Sequence, residues 1–312
     1  MASGRYITRP GTAVRDSARY VNSNFKPMAM GFLALAKTEG SLITKDEAKA
    51  IAQEKGKLPE SLRVKWIKAD VSFRDKQLGT FYSERLQDGG QYVTPAIRQM
   101  AQGKKSWGQD WTYIPVSKDV TKWIAKRSGT LIKDWSGLRK LAIREIFRQG
   151  LITEPMSTYD IQETIKAFIG LLPQQVASVA KEKARLERVN EERAANGQKP
   201  ISVDNGVRLE AYRQKQIRAE RIARTETSAA YNHGQLSAIK EARAAGYLGE
   251  DAKTWKEWLA YPGCCENCQT MNHQRMELEG EYPRHGGGSG YLKEQGPPLH
   301  PNCRCTLVYG VD

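Results

Sequence analysis

The sequence predicts a mainly α-helical body followed by a small C-terminal α+β module that a zinc ion holds together. Apolar residues recur at helical spacing through most of the first 249 positions, with capping signals at several candidate helix starts. After Gly249 the pattern changes, and the segments TWKEWL and RCTLVYGV have the composition of β-strands. All five cysteines lie in this last part of the chain, between Cys264 and Cys305.

The predicted elements divide into three consecutive segments. Residues 1–118 form an N-terminal helical and irregular region, which begins with an extended basic arm over about residues 1–25. Residues 119–249 form a helical body with long helices, and residues 250–312 form the zinc module. A chain of 312 residues is long enough for two domains and a further small one.

In the first segment, Thr44 has the spacing of a capping-box helix start. Apolar residues over positions 60–86 predict another helix, which ends at the pair Gly89-Gly90. The stretch 92–116 is rich in aromatic residues, Gly and Pro, so it predicts irregular chain and a domain boundary.

The helical body has its own start and stop signals. Ser157 and Asp160 have capping-box spacing, and Pro173 suits the first position of a further helix. The polar stretch NEERAANGQKPISVDNG predicts a loop between antiparallel helices, and Gly246 predicts the end of the last long helix. A short heptad-like seam that favours helix pairing is formed by Val176, Val179, Leu186 and Val189.

Composition and charge narrow the class of protein. With 39% hydrophobic and 27% charged residues, the chain is polar but not in the disordered class. The longest apolar run, residues 28–36, is too short to cross a bilayer, so no membrane partner is expected. No apolar secretory segment opens the sequence, so we expect a protein that stays in the cell or in something assembled there. The net charge of +14 favours nucleic acid as a partner.

Half of this charge lies in about a sixth of the chain. Residues 101–150 hold eleven Lys/Arg and four Asp/Glu, a net charge of +7. The basic residues are interleaved with Trp and Tyr, a combination that can follow a phosphate backbone and stack on bases. A hydrophobic core with a solvated basic rim explains the same pattern and is the preferred interpretation. The candidate DNA-binding residues are Lys104, Lys105, Lys122, Lys126 and Arg127.

Two motifs near the C-terminus have the spacing of metal ligands. Cys265 and Cys268 form a CxxC pair, and after a gap of 31 residues His300, Cys303 and Cys305 form an HxxCxC motif. Structural zinc is usually held by four Cys or His ligands in a tetrahedron, and a CxxC turn can direct two sulfurs at one ion. Because the cysteine number is odd and no secretory segment is seen, zinc is favoured over a disulfide cluster.

The sequence leaves the ligand set open, because it contains more candidate ligands than the four coordination positions of a tetrahedral zinc ion. The CxxC motif supplies the firmest pair, and the second pair is any two of the three candidates in HxxCxC. Cys264 can replace Cys265, which has the better spacing, and His273 and His285 are weaker candidates. A Cys-rich set is typical of structural zinc, which contributes about 10–16 kcal/mol to folding a small module. We therefore predict no catalytic residue.

The motif order resembles a known family. The helix IARTETSAAYNHGQLSAIKEARAAG, strand residues, CxxC, a Gly-containing loop and the ending PPLHPNCRC follow one another as in the phage head morphogenesis (Mu F-like) minor head proteins of tailed bacteriophages. The resemblance covers about residues 128–308, and the chain before about residue 118 has none that we can name. One departure is QTMNHQRMELEG, where family members often have an Asp-Gly turn.

The resemblance implies a minor capsid protein that acts in head assembly near the portal. Its implied partners are the portal protein, packaged double-stranded DNA, and the major capsid protein or a scaffold. The protein would be located in the virion, and in the host cytoplasm during assembly. Positions that match the family's motifs are, besides the metal candidates, Arg224, Thr225, Glu226, Asn232 and Arg304. Arg224 is expected to anchor its helix to the zinc module through a charge-assisted bond, with Thr225 and Glu226 structural.

Two further functions remain as alternatives. The unassigned N-terminal region leaves room for a zinc-dependent nuclease or toxin-like domain attached to a head module, with Glu266 or His273 as candidate catalytic groups. The other alternative is a zinc-containing DNA-binding protein of the host. A non-enzymatic assembly protein is the preferred prediction, because the ordered motifs and the basic charge both favour it.

Overall fold

The computed structural model describes residues 5–101, 111–149, 151–152, 156–249, 252–282 and 295–312. Helices make up 69% of the described residues, and a small antiparallel sheet lies near the C-terminus, which confirms the predicted fold class. The helices are α1 Pro10–Asn24, α2 Lys26–Ser41, α3 Lys45–Gln53, α4 Glu60–Phe73, α5 Gly79–Ala101, α6 Lys118–Arg148, α7 Thr158–Phe168, α8 Pro173–Ala195, α9 Val203–Ala244 and α10 Glu266–Gln269. The strands are β1 Arg5–Tyr6, β2 Thr254–Leu259, β3 Arg275–Glu277 and β4 Thr306–Val311.

The chain folds into two compact units that are assembled from separate segments. The first contains Met1–Pro27, Gly79–Ala125 and Arg221–Asp312, and the second contains Met28–Leu78 and Lys126–Glu220. The three consecutive segments predicted from the sequence follow a different division, since helices far apart in the chain pack together within each unit. The predicted module 250–312 lies wholly in the first unit. Among the described residues, no helix is both long and apolar enough to span a bilayer.

The sheet of the first unit has the strand order β1-β4-β2-β3, and each neighbouring pair is antiparallel. One face, which includes Trp258 and Tyr309, packs against Leu236 and Ile239 of α9. On the other face, Leu259 and Val308 pack against Ala13 of α1. Both predicted C-terminal strands are present, as β2 and β4.

The N-terminal segment differs from the extended arm that the sequence predicts. Arg5 and Tyr6 pair with Val311 and Gly310, and α1 follows with Pro10 in its first turn. The backbone N–H of Ile7 donates to the Tyr309 carbonyl at 2.7 Å. The partner of this segment lies some 300 residues away, so local pattern could not reveal it.

The predicted helix end at Gly89-Gly90 is wrong, because α5 continues to Ala101. A Cβ atom at Gly89 would overlap the Tyr231 carbonyl of α9, and one at Gly234 would overlap the Leu86 carbonyl of α5. The two helices therefore cross backbone to backbone, and the glycines serve this packing. The predicted irregular stretch is helical over residues 92–101.

Helix signals in the second unit are confirmed. The Thr44 side chain accepts from the Glu47 N–H and the Glu47 carboxylate accepts from the Thr44 N–H, which completes the capping box of α3. Ser157 caps α7, and Pro173 opens α8. Buried Arg139 of α6 forms ion pairs with buried Glu39 and Asp70, so one guanidinium bridges two carboxyl groups inside the unit.

Candidate metal centre

The CxxC motif forms a tight turn at the start of the short helix α10. Cys265 is the N-cap residue, and the Cys268 N–H donates to its carbonyl at 3.0 Å. Gly263, just before the turn, has φ of +76°, a conformation that L-residues rarely adopt. The turn leaves the Cys265 side chain exposed and buries that of Cys268 completely.

The second motif forms a turn that leads into β4. The Cys303 N–H donates to the His300 carbonyl at 3.1 Å, and Asn302 has a left-handed φ of +62°. Asn tolerates this conformation better than most residues. Cys303 and Cys305 lie two positions apart, so in extended chain both point to the same side, where both are buried. Their sulfurs belong to the same core as Cys268.

These turns bring together the five Cys and His residues of the CxxC and HxxCxC motifs in two groups that share Cys268. Cys265, Cys268 and His300 form one group, and Cys268, Cys303 and Cys305 form the other. Within each group the candidate ligand atoms lie within 4.8 Å of one another. A C-terminal Cys/His cluster can therefore hold a metal ion.

The separation of two buried sulfurs matches the edge of a tetrahedral metal site. The Sγ atoms of Cys268 and Cys303 are 3.8 Å apart. A tetrahedron with metal–sulfur bonds of about 2.3 Å has edges of about 3.8 Å, so the sulfurs need not move to share one ion. The His300 Nε2 lies 3.2 Å from the Sγ atoms of both Cys265 and Cys268. This is shorter than the edge of about 3.5 Å that metal–nitrogen bonds of about 2.0–2.1 Å imply.

The orientation of the His300 ring also suits ligation. Its Nδ1 lies 2.9 Å from the Pro301 carbonyl oxygen, which can only accept a hydrogen bond. In the neutral ring Nδ1 therefore carries the proton, and Nε2 presents its lone pair to the sulfurs. A backbone carbonyl that fixes the tautomer in this way is typical of metal-bound histidine.

The buried thiols are electrostatically coupled. The hydrogen bonds from Cys268 and Cys305 hold the pKa of Cys303 well below its usual value. The hydrogen bond to Cys303 raises the pKa of Cys268, because loss of its proton would place two thiolates side by side. A divalent cation would replace these shared protons and stabilise the thiolates together.

The other sequence candidates lie outside both groups. The Cys264 thiol donates to the Gln269 side chain at 3.4 Å and packs against the edge of the core. The His273 ring donates through Nδ1 to Glu257 at 2.8 Å. His285 lies outside the described residues. Among the described residues, Cys265 and not Cys264 belongs to the cluster.

No protein-family model matches the chain, and no curated protein or solved structure does either. The likeness to phage head morphogenesis proteins therefore stays a prediction from the motifs.

Two residues of the helix motif contact the metal-site segment directly. The Thr225 hydroxyl accepts from the Asn302 N–H at 3.0 Å and donates to the Arg221 carbonyl at 2.8 Å. The Asn232 side-chain oxygen accepts from the Thr306 hydroxyl at 2.8 Å. Neutral side chains two turns apart on α9 thus bind the HxxCxC turn and the strand that follows it.

The charged motif residues have other contacts. The Arg224 guanidinium lies over the Phe25 ring, 4.4 Å from its centroid, and Glu226 accepts from the Tyr82 hydroxyl at 2.7 Å. Arg304 lies over the Tyr261 ring at 5.4 Å. Thr225 accepts a hydrogen bond from the metal-site turn, and the anchoring role of Arg224 stays a prediction.

The candidate DNA-binding residues are only partly described. Lys122 and Lys126 are exposed on α6, and Arg127 is partly buried. Lys104 and Lys105 lie outside the described residues.

Sequence analysis missed a polar network on the α1 face of the sheet. Buried Glu257 accepts from Tyr6 at 3.0 Å and from Arg275 at 2.7 Å, in addition to His273. Burial alone would raise the pKa of Glu257, but these hydrogen bonds lower it overall. The only signal was the pair Lys256-Glu257 in the middle of a predicted strand, where two adjacent charges need partners on opposite faces.

Proposed function

We propose that the C-terminal cluster binds one structural Zn²⁺ through Cys265, Cys268, His300 and Cys303. The 3.8 Å separation of the Cys268 and Cys303 sulfurs supports Cys303 as the fourth ligand. Because Cys303 lies outside the group formed by Cys265, Cys268 and His300, binding of the ion would draw these ligand atoms closer together. Cys305 then lies beside the site in the core. Nitrogen and thiolate ligands in a tetrahedron are those that zinc prefers. With four protein ligands the ion has no open position for water, which supports a structural role and gives no reason to assign catalysis.

We further propose that the chain is a minor capsid protein of a tailed bacteriophage, acting in head assembly and DNA packaging near the portal. The observation that carries this proposal is the hydrogen bond between Thr225 and Asn302, because it joins the two motifs on which the resemblance depends. Because the two motifs are in contact, their joint occurrence supports the resemblance to head morphogenesis proteins more strongly than either motif alone. The net charge of +14 supports nonspecific affinity for packaged DNA.

An inventory of virus particles tests this function. Particles of the phage that encodes the chain are purified as DNA-filled heads and as empty precursors, and their proteins are identified by mass spectrometry. We expect the chain in the heads at few copies, and we expect it to co-purify with portal protein when the two are expressed together. Absence from both kinds of particle, together with no binding to portal protein, would overturn the proposal and favour a host DNA-binding protein.

The nuclease alternative has a separate test. Glu266 is exposed beside Cys265, and His273 donates through Nδ1 to Glu257, which leaves its Nε2 available as a base. Incubation of the purified protein with plasmid DNA and divalent metals should leave the plasmid intact. Cleavage that disappears in Glu266→Gln or in His273→Gln would contradict the non-enzymatic assignment.

A further inference from the structure

Between Lys126 and Arg144, one exposed face of α6 carries only basic charges. Lys126, Lys133, Lys140 and Arg144 are all exposed and lie seven, seven and four residues apart. At 3.6 residues per turn, this spacing places all four within about 40° of one another around the helix axis. With a rise of about 1.5 Å per residue, they extend over about 27 Å. These four residues are called the basic ridge.

The opposite face of the helix fixes the direction of the ridge. Trp135, Ile143 and Ile146 are buried, and Arg139 is held by its buried ion pairs. A helix with its other side packed in this way cannot rotate, so the ridge faces solvent as a fixed linear array.

The charges of the ridge are not neutralised within the part of the chain that the structure describes, where none of its members forms an ion pair. The acidic residues of this stretch, Asp134 and Glu145, lie at least about 80° around the helix from it. Glu145 is bound to Arg148 instead.

The basic residues of α8 are arranged differently. Arg185 pairs with Glu182 at 2.7 Å, and Lys183 lies 3.8 Å from Glu187. Mixed charges of this kind are what a solvated helix face usually carries. The absence of acidic partners therefore distinguishes the ridge from an ordinary exposed helix face.

A glycine lies among the basic side chains. Gly137 is exposed on the same side of α6, and a Cβ atom there would meet no atom within 4 Å. Internal packing therefore does not require glycine, although glycine inside a helix costs roughly 0.5–1 kcal/mol relative to alanine. A gap between Lys133 and Lys140 lets a ligand approach the helix backbone closely.

We propose that the basic ridge binds the phosphate backbone of duplex DNA without sequence preference. Four unpaired cations in a rigid line match a polyanion that carries one charge per about 1.7 Å of axis, and 27 Å is about three quarters of a helical turn. The choice of DNA among polyanions rests on the proposed function. The contact would hold packaged DNA through charge alone, since no aromatic side chain lies on the ridge.

The salt dependence of binding tests the ridge. Affinity of the full chain for a fluorescent 30-base-pair duplex is measured between 50 and 300 mM salt, with a second duplex of unrelated sequence. Each phosphate contact contributes about 0.9 to the slope of log affinity against log salt. We expect the quadruple variant K126Q/K133Q/K140Q/R144Q to lose about 3–4 from this slope and to bind at least about tenfold more weakly at 0.1 M salt.

A matched variant removes the same charge elsewhere. K181Q/K183Q/R185Q/R188Q on α8 also changes the net charge by four, but it alters a helix whose basic residues have acidic neighbours. We expect its slope to stay within about 1 of the wild-type value. If both variants lose the same amount of slope, overall charge and not the position of the charges binds the DNA. That result would overturn the proposal that the ridge is the binding site. Circular dichroism melting of both variants checks that they remain folded.

The outcomes separate this proposal from the proposed function. If the ridge variant still enters heads and binds portal protein but loses DNA affinity, both proposals hold. If the ridge variant keeps the wild-type salt dependence of DNA binding but no longer binds portal protein, the ridge is a protein interface and this proposal fails. If the wild-type chain enters heads but binds no duplex at 50 mM salt, the ridge assignment fails and the head-assembly function stands.

Discussion

Thr225 and Asn302 lie 77 positions apart in the chain and are joined by a hydrogen bond of 3.0 Å. The threonine hydroxyl accepts from a backbone N–H in the turn between His300 and Cys303. Because Asn302 is held in a left-handed conformation, this bond helps to fix the turn that presents both candidate ligands. The part of α9 that belongs to the first unit thus contributes to the geometry of the cluster without itself supplying a ligand.

Replacing Thr225 by valine should weaken both the fold and the metal site. Thr225→Val keeps the shape of the side chain but leaves the Asn302 N–H without its acceptor, which costs about 1 kcal/mol. Thr225→Ser keeps the hydroxyl and is the matched control. Denaturant unfolding and competition with a zinc chelator measure the two effects. If the Val variant is as stable as the Ser variant and binds zinc as tightly, the hydrogen bond from Asn302 to Thr225 does not support the metal site.

The N-terminal strand should stabilise the C-terminal sheet. Ile7 is buried in the same core as the candidate ligand Cys268, and its N–H donates to Tyr309. Ile7→Ala should lower the free energy of unfolding by about 2–4 kcal/mol, because it leaves a cavity in that core. Amide hydrogen exchange should also become faster along β4. A change below about 0.5 kcal/mol, the range of ordinary surface substitutions, would mean that β1 is not part of the cooperative sheet.

Lys256 should make stability increase with pH. Its ammonium group is fully buried, forms no hydrogen bond among the described residues, and lies over the Tyr282 ring. Burial lowers the pKa of Lys256 to about 7, with Lys240 adding to the decrease and Glu279 and Glu281 opposing it. Unfolding therefore takes up a proton between about pH 7 and the unfolded pKa of about 10.4, so the folded state gains stability as pH rises through this window.

Comparison with Lys256→Met isolates this effect, since other titrating groups cancel in the difference. The free energy of unfolding of the wild type, minus that of the variant, should rise by roughly 2 kcal/mol between pH 7.5 and 9.5. Urea unfolding at several pH values in this range measures it. A difference that is constant or falls with pH would show that the lysine stays charged in the folded protein.

The fold class and the CxxC pair could be predicted from the sequence because both depend on local pattern. Helical periodicity and the capping box at Thr44 are readable from neighbouring residues, and CxxC spacing restricts two sulfurs to one turn. The continuity of α5 was not predictable in this way. Gly89 looks like a helix breaker until the Tyr231 backbone of α9 is seen against it.

The features that the sequence could not reveal depend on distant partners. Tyr6 pairs with Gly310, and Thr225 with Asn302, so neither contact leaves a local signal. The ambiguity in the ligand set has a different origin. Cys303 and Cys305 are both buried beside Cys268, and spacing alone does not separate two cysteines that point to the same side.

The central claim is that one metal ion joins the CxxC and HxxCxC turns and stabilises the module around them. Elemental analysis of freshly purified protein, combined with thermal unfolding with and without a strong chelator, tests it most directly. We predict one zinc per chain, a large loss of stability on chelation, and a loss of zinc in Cys268→Ser but not in the matched variant Cys264→Ser. Protein that carries no transition metal and has the same melting curve with chelator as without would contradict the account.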